Sequence, residues 1–310
     1  MRYCNGVFEG GGVRGIGHVG AVCRLEQEGI RFVDLAGSSA GAIVAALLAA
    51  GYSGRELQQE METLDYEAFK GKDFLDRLGT VGKALSLLFH FGVYDTDYLE
   101  AWVGGLIERK QVITFGDVKK LGRKLKITAS DLTDRKLLIL PDSLEQFGIL
   151  GDDFPVSRAV AMSASIPIFF EPAVLVDRDG KEHLVADGGL LSNYPMWVLE
   201  DSQLGGRRPT LGFRFSGEQK QENGRNENRK FGLAEYLMSI ADTCMDAIDN
   251  SHISSEEGER TIWISTTITL NGGSRNIHAT EFGISREESQ ALFENGSRAA
   301  ERFLLRKNVL

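Results

Sequence analysis

The chain has 310 residues and a formal net charge of −9, with 42% hydrophobic and 25% charged residues. This is the composition of a globule with ample apolar material for a core, and its acidity argues against binding nucleic acid over a broad basic face. Three cysteines (Cys4, Cys23 and Cys244) with no CxxC spacing exclude a disulfide framework or a cysteine zinc site as the expectation and fit a reducing compartment.

Residues 3–8 read as a short strand that runs into Glu9 and a glycine cluster, with no apolar signal core ahead of it. A helix follows to about Glu28 and stops at Gly29. Residues 31–36 read as a second strand, and residues 42–50 as a helix that is apolar on all sides and therefore buried. That apolar run is the longest in the chain and is too short to span a bilayer, so a cytoplasmic protein, soluble or peripheral to a membrane, is expected. Alternating strand and helix predicts a mainly parallel sheet covered on both faces.

Residues 52–115 break this rhythm. Phe74, Leu75, Leu78, Val81, Leu85, Leu88 and Phe89 recur at helical spacing, interrupted by Gly79 and Gly82. A helical subdomain packed on the sheet is the favoured reading, and a lid that meets lipid is the sharper one. Residues 126–130 and 136–140 read as strands joined by a turn, and residues 173–187 as a hairpin around Asp179-Gly180. Residues 210–215 form a further strand, and residues 216–230 a polar loop. Leu233, Tyr236, Leu237, Ile240, Cys244 and Ile248 mark an amphipathic helix, and Ser285 with Glu288 forms a capping box for the last one. No internal repeat or linker divides the chain. The expectation is one domain over residues 1–310, with a core at 3–215, a helical insertion at 52–115 and a C-terminal helix-and-strand extension at 231–310.

Three segments carry chemistry. Gly37-Ser38-Ser39-Ala40-Gly41 is a G-x-S-x-G pattern placed between a strand and a buried helix, the context of a nucleophile elbow. A sharp strand-to-helix turn strains its central residue, and Gly37 and Gly41 remove the clashes of neighbouring side chains. Gly10, Gly11 and Gly12, followed by Arg14 and Gly15, also lie between strand and helix, where backbone amides converge on an anion such as the oxygen of a tetrahedral intermediate. Asp187, followed by Gly188 and Gly189, places a carboxylate on a tight turn at a strand end, suited to serve as base to Ser39. An isolated Asp-Gly-Gly would be read as a plain turn.

Two alternatives stay open on these residues. The glycines between Gly10 and Gly20 also satisfy G-x-G-x-x-G, with Asp34 near the spacing of a ribose-binding acid, so a dinucleotide-binding module that would not need Ser39 is the rival. Asp34 lies within its strand rather than at its end, which counts against that reading. A Ser-His-Asp esterase in chain order would need His252 or His278. Both stand in contexts suited to surface or capping roles. His183 reads as a solvent-facing strand position, and His18 as helix packing. The basic cluster Lys119, Lys120, Arg123, Lys124 and Lys126 reads as a solvated surface, with contact to anionic lipid heads as its functional alternative.

Taken together, the segments resemble the patatin-like phospholipase family. Besides the three glycine motifs, the resemblance includes Ala161-Met-Ser-Ala-Ser-Ile-Pro167, Phe170-Glu-Pro172, Asn193-Tyr-Pro195 and Asp131-Leu-Thr133, over residues 3–215. It implies a three-layer α/β/α hydrolase with a serine–aspartate dyad and no histidine. By carry-over Ser39 is the nucleophile, Asp187 the base, the amides of Gly10, Gly11 and Gly12 the oxyanion hole, and Arg14 a support for that loop or for a substrate phosphate. The implied substrate is a phospholipid or lysophospholipid met at a membrane or micelle. No metal and no organic cofactor is implied, and oligomeric state is not written in the sequence.

Overall fold

The computed structural model describes residues 1–62, 92–94, 96–199, 208–217, 243, 255–270 and 272–306. The apolar residues of the insertion between Phe74 and Phe89, the amphipathic helix from Leu233 to Ile248, Cys244 and His252 lie outside the described residues.

β1 (Arg2–Phe8) leads into helix α1 (Ile16–Gln27), and β2 (Ile30–Gly37) into helix α2 (Ala40–Ala49). β1 and β2 pair in parallel, as the strand–helix alternation predicts. They sit in the middle of a sheet of order β10-β9-β1-β2-β4-β8-β7, with β5 also paired to β4. Here β4 is Leu125–Asp131, β5 Lys136–Leu140, β7 Ala173–Val176, β8 Glu182–Asp187, β9 Thr210–Ser216 and β10 Thr261–Ser265. The half from β10 to β4 is parallel, while β5, β8 and β7 are joined antiparallel. The β4–β5 and β7–β8 pairs follow from short connections, because a hairpin can only reverse the chain. The β7–β8 hairpin turns at Gly180, whose φ of 82° suits glycine.

β10 belongs to the central sheet, where it pairs in parallel with β9 at one edge. The C-terminal helix Arg286–Arg306 begins with the expected capping box: Glu288 N donates to Ser285 Oγ and Ser285 N donates to Glu288 Oε2. It packs on α1, and a Cβ on Gly20 or Gly296 would strike Phe293 O or Gly17 O of the opposite helix. α2 is apolar all round because it is buried all round: Ala42, Ala45 and Ala49 are fully covered. Short alanine side chains let it lie close to the sheet. The described ends of the insertion are helical, with α3 at Gly54–Glu62 and a helix at Asp97–Glu108. Tyr52 Oη donates to Leu106 O at 2.7 Å and ties them to the core. None of the described helices is long and apolar enough to cross a membrane.

The basic cluster at residues 119–126 is engaged. Lys119, Lys120 and Lys126 pair with Asp152, Asp117 and Asp142, and the Arg123 guanidinium donates to Leu48 O and Ala49 O. Arg123 thus caps the carbonyl end of buried α2, where a cation complements the helix dipole.

Candidate active site

Strand register brings the three motifs to one level. Phe8 of β1 pairs with Gly37 of β2, and Gly37 pairs with Ile127 of β4. Gly10 and Ser39 lie two residues beyond the ends of β1 and β2, and a Cβ on Gly10 would come within 3.1 Å of Ser39 Cβ, while Ala129 lies two residues beyond Ile127 on β4. Ala129 in turn pairs with Asp187 of antiparallel β8. Ser39 and Asp187 are 148 residues apart in sequence, yet Ser39 Oγ donates to Asp187 Oδ2 at 2.7 Å.

Ser39 has φ 51° and ψ −127°, a left-handed conformation that costs a non-glycine residue of order 1–3 kcal/mol. The surroundings hold it there. A Cβ on Gly37 would meet Gly41 O, and one on Gly41 would meet Phe8 O, so neither position admits a side chain without moving backbone. The strained turn lifts the Ser39 hydroxyl off the sheet at the start of α2.

The Asp187 carboxylate is fully buried. Burial pushes its pKa up to about 7, against the lowering effect of hydrogen bonds from Ser39 Oγ and Gly189 N. Gly189 N donates to Oδ1 at 2.7 Å, so each carboxylate oxygen has a donor, and among the described residues neither donor is a histidine. The main chain is pinned too: Asp187 N donates to Ser165 O, and Ser130 Oγ donates to Asp187 O at 2.8 Å.

The glycine loop divides the labour of its amides. Gly10 N donates to Asn193 O at 3.0 Å, so it is spent on holding the loop, against the expectation that all three glycines face an anion. Val13 N is likewise taken, by Ala279 O. Gly12, with φ of 54°, lines the cleft beside Ser39. Arg14 is half-buried; its Nε donates to Gly11 O at 3.1 Å and its guanidinium stacks on the Phe215 ring, 5.1 Å from the centroid. These contacts tie Arg14 to the glycine loop and to β9.

Beside Ser39 opens a cleft with about 560 Å³ of empty space, part of it open to solvent. Ile43, Val44, Leu99, Ile166, Phe170 and Phe282 line it together with Gly12, Gly15 and Ser39. Among the described residues lining it none is charged, and Ser39 carries the only hydroxyl.

A profile of the patatin-like phospholipase family matches residues 6–199. The chain belongs to that family, a family of lipid hydrolases. Ser39, Asp187 and the glycine loop fall within the matched segment, while β9 and β10 of the central sheet lie beyond it. An uncharacterized protein of Bacillus subtilis, YqhO, is 36% identical over 302 residues, covering 97% of this chain and 98% of its own. An uncharacterized protein of Acanthamoeba polyphaga mimivirus is 26% identical over 307 residues, covering 97% of this chain and 94% of its own. Among solved structures the fold is shared with VipD from Legionella pneumophila (TM-score 0.56, 17% identity, 98% of this chain and 67% of that one). It is also shared with ExoU from the type III secretion system of Pseudomonas aeruginosa, in complex with SpcU (TM-score 0.53, 20% identity, 99% of this chain). The patatin-like chain spans about half of ExoU, 51% of its length.

Of the histidines, His18, His183 and His278 lie among the described residues, and none of these three hydrogen-bonds to Ser39 or Asp187. His18 is fully buried in α1, with Nε2 2.8 Å from Glu9 O and its ring 4.3 Å from that of Phe215; burial drives its pKa down to about 4. It is a packing residue, as expected. His278 is exposed and lies in a turn closed by its own N–H to Glu281. Asp34, the acid needed by a dinucleotide site, accepts Lys124 N and faces Arg208 at 3.7 Å, so its carboxylate serves the strand connection.

His183 corrects the sequence reading. Expected to face solvent, it is 4% exposed, with Nδ1 2.8 Å from Asp131 Oδ2 and Nε2 3.4 Å from Asp177 Oδ2. Glu9 was missed altogether. It is buried, accepts Arg214 Nε at 3.1 Å and Phe215 N at 2.5 Å, and so clamps the end of β1 to β9 directly ahead of the glycine loop. A lone acid before glycines carries no sequence signal for a partner 205 residues away.

Proposed function

We propose that this protein hydrolyses a carboxylic ester of a phospholipid or lysophospholipid through an acyl-enzyme on Ser39, with Asp187 as the general base. The observation that carries the reading is the 2.7 Å hydrogen bond from Ser39 Oγ to a fully buried carboxylate. An ordinary aspartate, with a pKa of roughly 3.9, is a poor base; one raised to about 7 is matched to a serine at neutral pH.

In the first step Asp187 takes the Ser39 proton while Oγ attacks the ester carbonyl. The carbonyl oxygen becomes an oxyanion, held by the amides of Gly11 and Gly12; losing one such donor typically costs roughly 100-fold to 1000-fold in rate. As the tetrahedral intermediate collapses, protonated Asp187 returns its proton to the leaving alcohol. Water activated by Asp187 then attacks the acyl-enzyme, the carboxylic acid leaves and Ser39 is restored. The uncharged cleft suits the hydrocarbon of the acyl group, with the polar head group directed toward solvent. Residues 1–310 act as one domain in this reading, and contact with a membrane or micelle surface delivers the substrate.

The test is labelling with a fluorophosphonate followed by peptide mapping. The adduct is expected on Ser39, and Ser39→Ala is expected to remove both adduct and ester hydrolysis while the protein stays folded. A folded Ser39→Ala variant with near-wild-type turnover overturns the proposal.

A further inference from the structure

The Ser39 main chain needs a partner of its own. Among the described residues no backbone carbonyl accepts its N–H. Ser163 supplies the acceptor: Ser39 N donates to Ser163 Oγ at 2.8 Å. Ser163 is the last residue of the helix Val156–Ser163 and is fully buried, 124 residues away in sequence. Two residues on, Ser165 O accepts the N–H of Asp187, and Ser165 Oγ donates to Ala161 O at 2.8 Å, which fixes the segment against its own helix. One short stretch, residues 163–165, therefore holds the main chain of the serine and of the aspartate together.

We infer that Ser163 is a positioning residue for the Ser39 nucleophile. Its hydroxyl does two things through Ser39. It holds the strained elbow in the one backbone conformation that aims Oγ at Asp187 Oδ2. It also takes the Ser39 amide out of the set of oxyanion donors, leaving that work to the glycine loop. A buried amide without its acceptor relaxes toward any other, and rotation of the elbow by a fraction of an ångström is enough to misplace Oγ. The effect falls on the chemical step, because Ser163 is not among the residues lining the cleft.

The inference rests on Ser39 being the nucleophile, and the experiment separates the two. Ser163→Ala, Ser39→Ala and wild type are compared for steady-state ester hydrolysis from pH 5 to 9, for the rate of fluorophosphonate labelling, and for melting temperature. For Ser163→Ala the expected result is a fall in kcat of roughly tenfold or more with KM within about twofold, and a parallel fall in labelling rate. Its melting curve stays cooperative within a few degrees of wild type. The apparent pKa of kcat/KM stays close to that of wild type, because the burial of Asp187 and its contact with Gly189 N are untouched. A kcat within twofold of wild type overturns the inference. So does a loss of activity accompanied by a large drop in melting temperature and a displaced pH profile, which would make Ser163 plain core packing. Turnover by Ser39→Ala would overturn the proposed function itself, whatever Ser163→Ala did.

Discussion

His183 Nδ1 lies 2.8 Å from Asp131 Oδ2, both side chains almost fully buried, and joins β8 to β4 on the strands that carry the Ala129–Asp187 pair. Asp177 approaches the other ring nitrogen at 3.4 Å. Burial alone would lower the pKa of His183, but the hydrogen bonds and charges of Asp131 and Asp177 outweigh it and raise the pKa overall. A raised folded pKa means stability that is fully present below the unfolded value of roughly 6.5 and is lost as pH rises through the folded pKa. His183→Gln is therefore expected to lower the denaturant midpoint more at pH 6 than at pH 9. Breaking a buried ion pair typically costs about 3 kcal/mol. Equal losses at both pH values would show that the imidazolium adds nothing.

Asp187 has the opposite consequence for activity and stability. As base it must be ionised, so kcat/KM is expected to rise with pH and level off above about 7, the value to which burial pushes the carboxyl. Stability runs the other way. Its folded pKa is raised above the unfolded value, so its contribution is full below about pH 4 and is lost as pH rises through about 7. Asp187→Asn keeps an acceptor for Gly189 N and removes the buried charge. It is expected to be inactive yet to melt a few degrees above wild type at pH 8, with the gap closing at pH 5. A variant less stable than wild type at pH 8 would reject the desolvated-carboxylate account.

Two glycines predict opposite signs. Gly296 meets α1 so closely that a Cβ would strike Gly17 O, backbone that cannot step aside. Gly296→Ala is expected to destabilise the fold by about 1–3 kcal/mol in urea unfolding. Gly105, in the helix Asp97–Glu108, faces open space, and Gly105→Ala is expected to add about 0.5–1 kcal/mol. Similar effects from both would mean that helix propensity, not the close crossing, sets the outcome.

The parts of the site that were legible in the sequence are those encoded locally. A strained elbow at Ser39 demands small neighbours at Gly37 and Gly41, and a carboxylate on a tight turn demands Gly188, so each leaves a short motif. The parallel pair β1–β2 was legible because strand and helix periods alternate there. What stayed hidden depends on partners far along the chain. The Gly10 amide looks identical to those of Gly11 and Gly12 until Asn193 O is placed beside it. His183 was misread because Leu184 beside it is the more apolar residue, and period-2 alternation then sends the histidine outward. In the fold Phe147 covers the imidazole edge-on at 5.0 Å and Asp131 neutralises it, so the polar residue takes the inner position. The lid reading of residues 74–89 lies outside the described residues.

The cleft makes the last prediction. Ile43 is four residues beyond Ser39 on α2, hence on the same helix face, and both line the cleft. If the acyl chain of the substrate lies there, each buried methylene adds roughly 0.8 kcal/mol of binding, and wild-type kcat/KM should climb along a series of p-nitrophenyl esters until the cleft is filled. Ile43→Trp would occupy part of that space. It is expected to lower kcat/KM for the dodecanoyl ester by roughly tenfold or more while leaving the butanoyl ester within about threefold, and so to move the optimum toward shorter chains. A uniform loss on every ester together with a lower melting temperature would mark Ile43 as core packing. An unchanged chain-length profile in a normally folded variant would place the acyl chain elsewhere and leave the cleft without this role.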